Sequence, residues 1–109
     1  MAYNERLNKA DVSISSSGDN TIIAAPSTGQ YIAIDHVSLL PTTAVAVQFK
    51  DGTTAYGGAF PLGTLQALVL ENSMQHQDGV ITLSSGQAFV INLGSAVQVG
   101  GIVRYRIIN

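Results

Sequence analysis

The sequence predicts an all-β fold: an antiparallel β-sandwich, jelly-roll-like, of eight or nine short strands. Three features carry this expectation. From Val12 onward, short runs rich in Val, Ile, Thr and aromatic residues are separated by Gly, Pro, Asn and Asp, the alternation of strand and turn. No run of ten or more residues repeats apolar side chains at the helical period. An Asp51-Gly52 pair stands between two alternating segments, where it marks a tight hairpin.

Taken in order, residues 1–11 form an N-terminal arm and residues 12–109 a single β-sandwich domain. The arm, or a short helix capped by Asn4, carries Glu5, Arg6 and Lys9 with only Leu7 as a large aliphatic residue. Val12 and Ile14 alternate with Ser13 and Ser15 before a turn over Ser17-Gly18-Asp19-Asn20, and Thr21 to Ala25 forms a second strand ended by Pro26. In the long run Gln30 to Leu40, strict alternation places Ile32, Ile34, His36 and Leu40 on one face and Tyr31, Ala33, Val37 and Leu39 on the other.

Ala44 to Lys50 and Thr53 to Tyr56 are the two arms of the Asp-Gly hairpin, and Gly57-Gly58, Pro61 and Gly63 are expected to form a loop after it. Leu65 to Leu70 fits either a turn and a half of helix or a strand. Val80 to Leu83 and Gln87 to Leu93 are strands around Ser84-Ser85-Gly86, with Phe89, Ile91 and Leu93 on one face. Ala96 to Val99 and Ile102 to Ile108 follow as separate strands divided by Gly100-Gly101.

A chain of 109 residues supports one core and not two. Its charged fraction is 11%, less than half the roughly 25% usual for a soluble domain. Uncharged Ser, Thr, Gln and Asn number 31 and replace the missing charge at the surface. Hydroxyls and amides that find a hydrogen bond cost far less to remove from water than ionised groups, so contact with another subunit is easy. No Asp, Glu, Lys or Arg occurs from Thr21 to Ile34, from Gly52 to Leu70, or from Gly79 to Val103. Uncharged stretches of this length lack the gatekeepers that protect exposed strands, which points to a surface covered in an assembly; the alternative is a monomer kept soluble by Thr, Ser and Gln alone.

The net charge of −2 excludes a nucleic-acid backbone binder, which needs clustered Lys and Arg. Without cysteine there is no disulfide and no thiolate chemistry. Met1 is followed by polar Tyr3-Asn4-Glu5-Arg6, which is not the pattern of a signal peptide, and no segment approaches the ~20 apolar residues of a membrane span.

The candidates for chemistry have structural explanations. Asp35 and His36 are neighbours and point to opposite faces of an extended strand, so they do not converge on one ion. A buried, hydrogen-bonded His36 and a solvated loop His76 are the expected states, since the two-His pattern of cupin metal sites is missing. Asp19, Asp51 and Asp78 sit beside turns, and no serine has the Gly-x-Ser-x-Gly context of an activated nucleophile. No catalytic, cofactor or metal site is expected, and the chain is not read as an enzyme. Arg104 and Arg106 share one face of the last strand, opposite Val103, Tyr105 and Ile107. With Glu5, Arg6 and Lys9 of the arm they are the candidates for a subunit contact, where a guanidinium can hold a neighbour's carboxylate; a simple solvated face is the alternative for the two arginines.

In layout, the segments SGDNTIIAAPSTGQYIAIDHVSLL, VAVQFKDGTTAYGG and GQAFVINLGSAVQVGGIVRYRI resemble small virion proteins of tailed bacteriophages, over Val12 to Ile108. The resemblance implies a jelly-roll-like capsid decoration or cement protein. Such a protein is made in the host cytoplasm, binds the outside of the head as a dimer or trimer, and clamps the major capsid protein. The alternative is a carbohydrate-binding or receptor-binding β-sandwich of a phage fibre or a secreted hydrolase. The absence of Trp and the presence of only four Tyr weigh against a sugar platform. Because no metal is expected, a chelator should leave the thermal midpoint unchanged; a sharp drop would reveal a structural ion.

Overall fold

A computed structural model describes residues 7–73 and 77–109. Among these residues the chain forms nine strands: β1 (Asn8–Ile14), β2 (Gly18–Ile23), β3 (Tyr31–Pro41), β4 (Val45–Asp51), β5 (Thr54–Leu62), β6 (Leu68–Glu71), β7 (Ile81–Thr82), β8 (Phe89–Leu93) and β9 (Val99–Ile108). One sheet has the order β1-β9-β3-β6, with the two-residue β7 as an added rung on β3; the other has the order β2-β8-β4-β5. All pairings are antiparallel. The pairs nest: β4 with β5 at the centre, then β3 with β6, β2 with β8, and β1 with β9 outermost. A long hairpin folded over on itself in this way is a jelly roll.

The inward faces of the two sheets supply the core, which includes Val12, Ile32, Ile34, Val37, Leu39, Val47, Phe49, Phe89, Ile91, Leu93, Val99 and Val103. Phe49 lies at its centre, stacked on Phe89 at 5.7 Å between ring centroids and edge-on to Phe60 at 5.6 Å. Aromatic pairs at these separations add about 0.5–1.5 kcal/mol beyond burial.

The hairpin expected at Asp-Gly is present, with Asp51 opposite Thr54 and Gly52-Thr53 as its two-residue turn. Gly52 has φ of 64° and Thr53 is not left-handed. Positive φ at the first central position alone is the type II′ form rather than type I′. Phe89, Ile91 and Leu93 share the core face of β8 as expected, and of the segment Leu65 to Leu70 the part from Leu68 belongs to the strand β6, Leu65 lying in the turn before it.

Other boundaries differ. The expected arm boundary after Asp11 falls inside β1, because Asn8 to Asp11 pair with Tyr105 to Ile102 and Val12 is a core residue. Residues 1–6, with Asn4, Glu5 and Arg6, lie outside the described residues, as do residues 74–76 with His76. β2 begins at Gly18, so the expected turn at 17–20 is shorter. β5 does not stop at Gly57-Gly58. The register slips there, three residues of β5 spanning the place opposite Gln48, and Gly57 takes φ of 73°. The Gln48 side-chain amide donates to the Phe49, Tyr56 and Gly57 carbonyls and fills the bulge. Pro61 is tolerated because β5 is an edge strand. β9 likewise runs unbroken through Gly100-Gly101, where a Cβ on Gly101 would overlap the Ser38 carbonyl oxygen of β3. The glycine there marks close approach of two strands and not a bend.

The largest difference lies in β3. The pairing with β9 passes from Ile34–Tyr105 to His36–Arg104, leaving Asp35 as an extra residue in a β-bulge. A bulge inverts the alternation beyond it. Ile32 and Ile34 therefore share the core face with Val37 and Leu39, and His36 and Leu40 turn outward. The bulge also aims Asp35 at Arg106, which is fully buried on the outer side of the sheet. Arg106 Nε donates to Asp35 Oδ2 at 2.7 Å and Nη2 to Asp35 Oδ1 at 3.0 Å, with a further bond to the Gln77 carbonyl. Asn72 closes the cluster, its side chain donating to Asp35 Oδ1 at 2.9 Å and its backbone N–H to the Asp35 carbonyl at 2.8 Å.

On the second sheet, Lys50 of β4 and Asn92 of β8 both donate to Asp19 of β2, at 2.9 and 2.7 Å. The hydrogen bond from Asn92 and then that from Lys50 hold the Asp19 carboxyl below its ordinary value of 3.8, against a small opposing effect of burial. A depressed carboxyl pKa adds stability above the unfolded-state value, and that stability is lost as pH falls through the folded-state value. Asp19→Asn should therefore lower the melting temperature at neutral pH, and the gap from wild type should close below pH 3.8, as read by thermal melts across pH.

Removing one member of the buried pair leaves the other charge without its partner. Asp35→Ala should cost about 3–5 kcal/mol in urea unfolding, whereas Asp35→Ala combined with Arg106→Met should recover most of that loss.

Candidate interaction surfaces

Two surfaces stand out from the fold. The first is the free edge of the β2-β8-β4-β5 sheet. β5 is nine residues long, and Thr54, Ala55, Gly57, Gly58, Ala59 and Pro61 are exposed along it. Charge is absent from Gly52 to Leu70, so the edge carries none of the Lys or Glu that ordinarily blunt an open strand. The Gly57-Gly58 bulge and Pro61 are its only interruptions. Beyond β5 the chain turns at 63–66, where Gly63 N–H donates to Gln66 Oε1 at 2.7 Å and Gln66 N–H to the Gly63 carbonyl at 3.1 Å. Leu65, in this turn, is 64% exposed and holds φ of 55°. A left-handed non-glycine residue costs about 1–2 kcal/mol, here in order to hold an aliphatic side chain in water.

The second surface is the outer face of the β1-β9-β3-β6 sheet, laid out in rows by the register. Lys9, Arg104, His36 and Glu71 form one row across the four strands. Asp11, Ile102, Ser38 and Val69 form the next. Ser13, Gly100 and Leu40 form the third. Val69 on β6 is 56% and Leu40 on β3 46% exposed, and Ile102 on β9 is half-buried. Over β9, β3 and β6 the face is a band of aliphatic and small side chains, bordered by the charged row and, on β1, by Asp11.

Within that row, His36 Nδ1 lies 2.6 Å from Glu71 Oε1, and Lys9 pairs with Asp11 at 3.2 Å. Arg104 is different. Its Nε is shielded from solvent and has no hydrogen-bond partner among the described residues. The other described cations are each paired: Lys9 with Asp11, Lys50 with Asp19 and Arg106 with Asp35.

Of the residues expected at a subunit contact, Lys9 and Arg104 do lie side by side on this face. Arg106 does not serve there. It shares the outer side with Arg104 but is fully buried, bound to the chain's own Asp35 and to the Gln77 carbonyl, with Asn72 on Asp35. Glu5 and Arg6 lie outside the described residues. Glu71, Val69, Ile102 and Leu40 belong to the face and were not singled out by sequence; the alternation in Leu68-Val69-Leu70-Glu71 was the available signal, hidden while helix and strand remained open for that segment.

His36 is hydrogen-bonded as expected, though only partly buried, and its ring faces Glu71 and not Asp35. Among the described residues no three His, Cys, Asp or Glu side chains gather within reach of a metal ion. Asp51 accepts from the Ser84 N–H and hydroxyl, at 3.1 and 2.7 Å, and Asp78 from the Tyr31 hydroxyl at 2.7 Å. These acids tie loops to strands. A shallow depression at Ala46, Pro61, Gly94 and Ser95 is lined by no titratable group. Comparison with family models, with curated proteins and with solved structures returned no match to this chain.

Proposed function

We propose that this protein is a structural virion component that binds the outside of a phage capsid and stabilises contacts between coat subunits. The observation that carries the reading is the uncharged open edge at β5, continuous with the Leu65 turn. A strand edge of this kind is a template for pairing with another chain, and a surface of hydroxyls, glycines and alanines gives up its water at low cost. The occupant is the major capsid protein. No reaction is needed for the effect: a ligand that binds the assembled shell and not the separated subunits stabilises the shell by mass action, about 2.7 kcal/mol per site at a hundredfold excess over Kd. A contact built on backbone and apolar surface is weakened little by moderate salt.

Particles lacking this protein should form shells of normal size that lose integrity sooner on heating or osmotic shock, and purified protein added back should restore them. Ala59→Lys, on the exposed edge of β5, should leave the fold intact and abolish the rescue. Depleted particles as robust as complete ones, or protein found only at the tail or bound to glycans, would replace this reading with the fibre or sugar-binding one.

A further inference from the structure

From the outer face of the β1-β9-β3-β6 sheet we infer that two copies of this chain pair through it, face to face, about a twofold axis running along β3. A twofold interface requires a self-complementary patch. β3 lies between β9 and β6, so an axis along it exchanges those two strands and keeps each row opposite itself. In the charged row, Arg104 of one copy then faces Glu71 of the other, twice by symmetry. In the next row, Ile102 faces Val69, again twice. On the axis itself Leu40 meets Leu40. Cation meets carboxylate and aliphatic meets aliphatic.

The accounting of polar groups within one chain points the same way. Arg104 has no ion pair or hydrogen bond among the described residues. Glu71 uses Oε1 for His36 and keeps a side chain 61% exposed, so its second oxygen is open to a guanidinium. Packed sheets lie about 10 Å apart, a gap that an arginine and a glutamate extended from opposite sides can bridge. On the same axis Ser38 meets Ser38, both small, and His36 meets His36, each already hydrogen-bonded to Glu71 of its own copy. Other axes fare worse: one along β9 sets Arg104 against Arg104, and one across the strands through the Ile102 row sets Arg104 over Gly100. Like charges directly opposed reject a docking mode, and opposite charges fix its register. The cluster around Arg106 and Asn72 covers the next stretch of the face, so the contact is confined to the three rows and is of modest affinity.

This deepens the proposed function by naming the partner at one surface, and the two tests separate, because capsid rescue depends on β5 while pairing depends on Arg104 and Glu71. The measurement is sedentation-equilibrium mass on the purified chain, up to about 1 mM, the upper end of Kd for weak association. Wild type should approach twice 11.4 kDa. Arg104→Glu and Glu71→Arg should each raise Kd about tenfold or more by opposing like charges across the axis. An equimolar mixture of the two should form the heterodimer, in which one ion pair is the native Glu71–Arg104 contact and the other is restored with reversed sign. Val69→Asp, at an exposed position of β6, should also weaken pairing, and it decides the matter if circular dichroism shows Glu71→Arg unfolded. A wild-type monomer across the range, a trimer, a Val69→Asp or Arg104→Glu dimer as tight as wild type, or folded charge variants that fail to pair when mixed would each overturn the inference.

Discussion

The arrangement of the β1-β9-β3-β6 sheet depends on the extra residue at Asp35 and the buried arginine it meets. An inserted residue in the middle of an eleven-residue strand would ordinarily leave a polar side chain without a partner on a covered surface. Here Asp35 receives two bonds from Arg106 and two more from Asn72, one of them to its backbone carbonyl. The cluster joins β3, β9 and the segment after β6. By holding Asn72 to Asp35, it fixes β6 against β3 one residue before Asn72, where Glu71 stands opposite His36. The charged row on the outer face is thus set by a buried ion pair that is not part of it. Buried pairs of this kind contribute more to choosing one arrangement than to net stability, since desolvation offsets most of their attraction.

Much of the fold was legible in the order of residues, and the misread parts have a common cause. Val45, Val47 and Phe49 alternate with Ala46 and Gln48, and Phe89, Ile91 and Leu93 share one face; both sets face the core as that spacing requires, although Val90 is buried as well. In β3 the alternation is correct on each side of Asp35 but changes phase across it: Ile32 and Ile34 keep one parity, Val37 and Leu39 the other. A strand read as a single period must misplace one half. Glycine produced the opposite error. Gly57-Gly58 and Gly100-Gly101 read as strand breaks, whereas one pair forms a bulge and the other includes the site where β9 lies against the Ser38 carbonyl. Whether a glycine serves a turn or a close approach depends on the neighbouring strand, and that neighbour is remote in sequence. Arg106 was misplaced for the same reason, because its parity was correct but the segment that covers it comes from elsewhere in the chain.

The scarcity of charge gains meaning once the pairs are located. Three of the four described cations are neutralised within the chain, and Asp51 and Asp78 hold loops. Little charge remains to order water over the surface. The β5 edge has none, and on the outer sheet face Arg104 has no ion pair among the described residues, with Glu71 two strands away in the same row. With this distribution the contact proposed at β5 would rest on shape and backbone and the one inferred at the outer sheet face on a few ions, so ionic strength would act on the two differently.

The nested pairing also governs how the chain reaches this state. Asn8 pairs with Tyr105 and Ile14 with Val99, so the first strand finds its partner only in the last. Contacts this remote in sequence carry a large loop-closure entropy and make folding slow, on the millisecond-to-second scale typical of all-β topologies. On the ribosome, β1 must wait until β9 has emerged. The inner hairpin of β4 and β5 can close earlier, whereas the sheet that bears Arg104 and Glu71 is completed only once β9 is available, so the face inferred to join two copies is among the last parts of the domain to form.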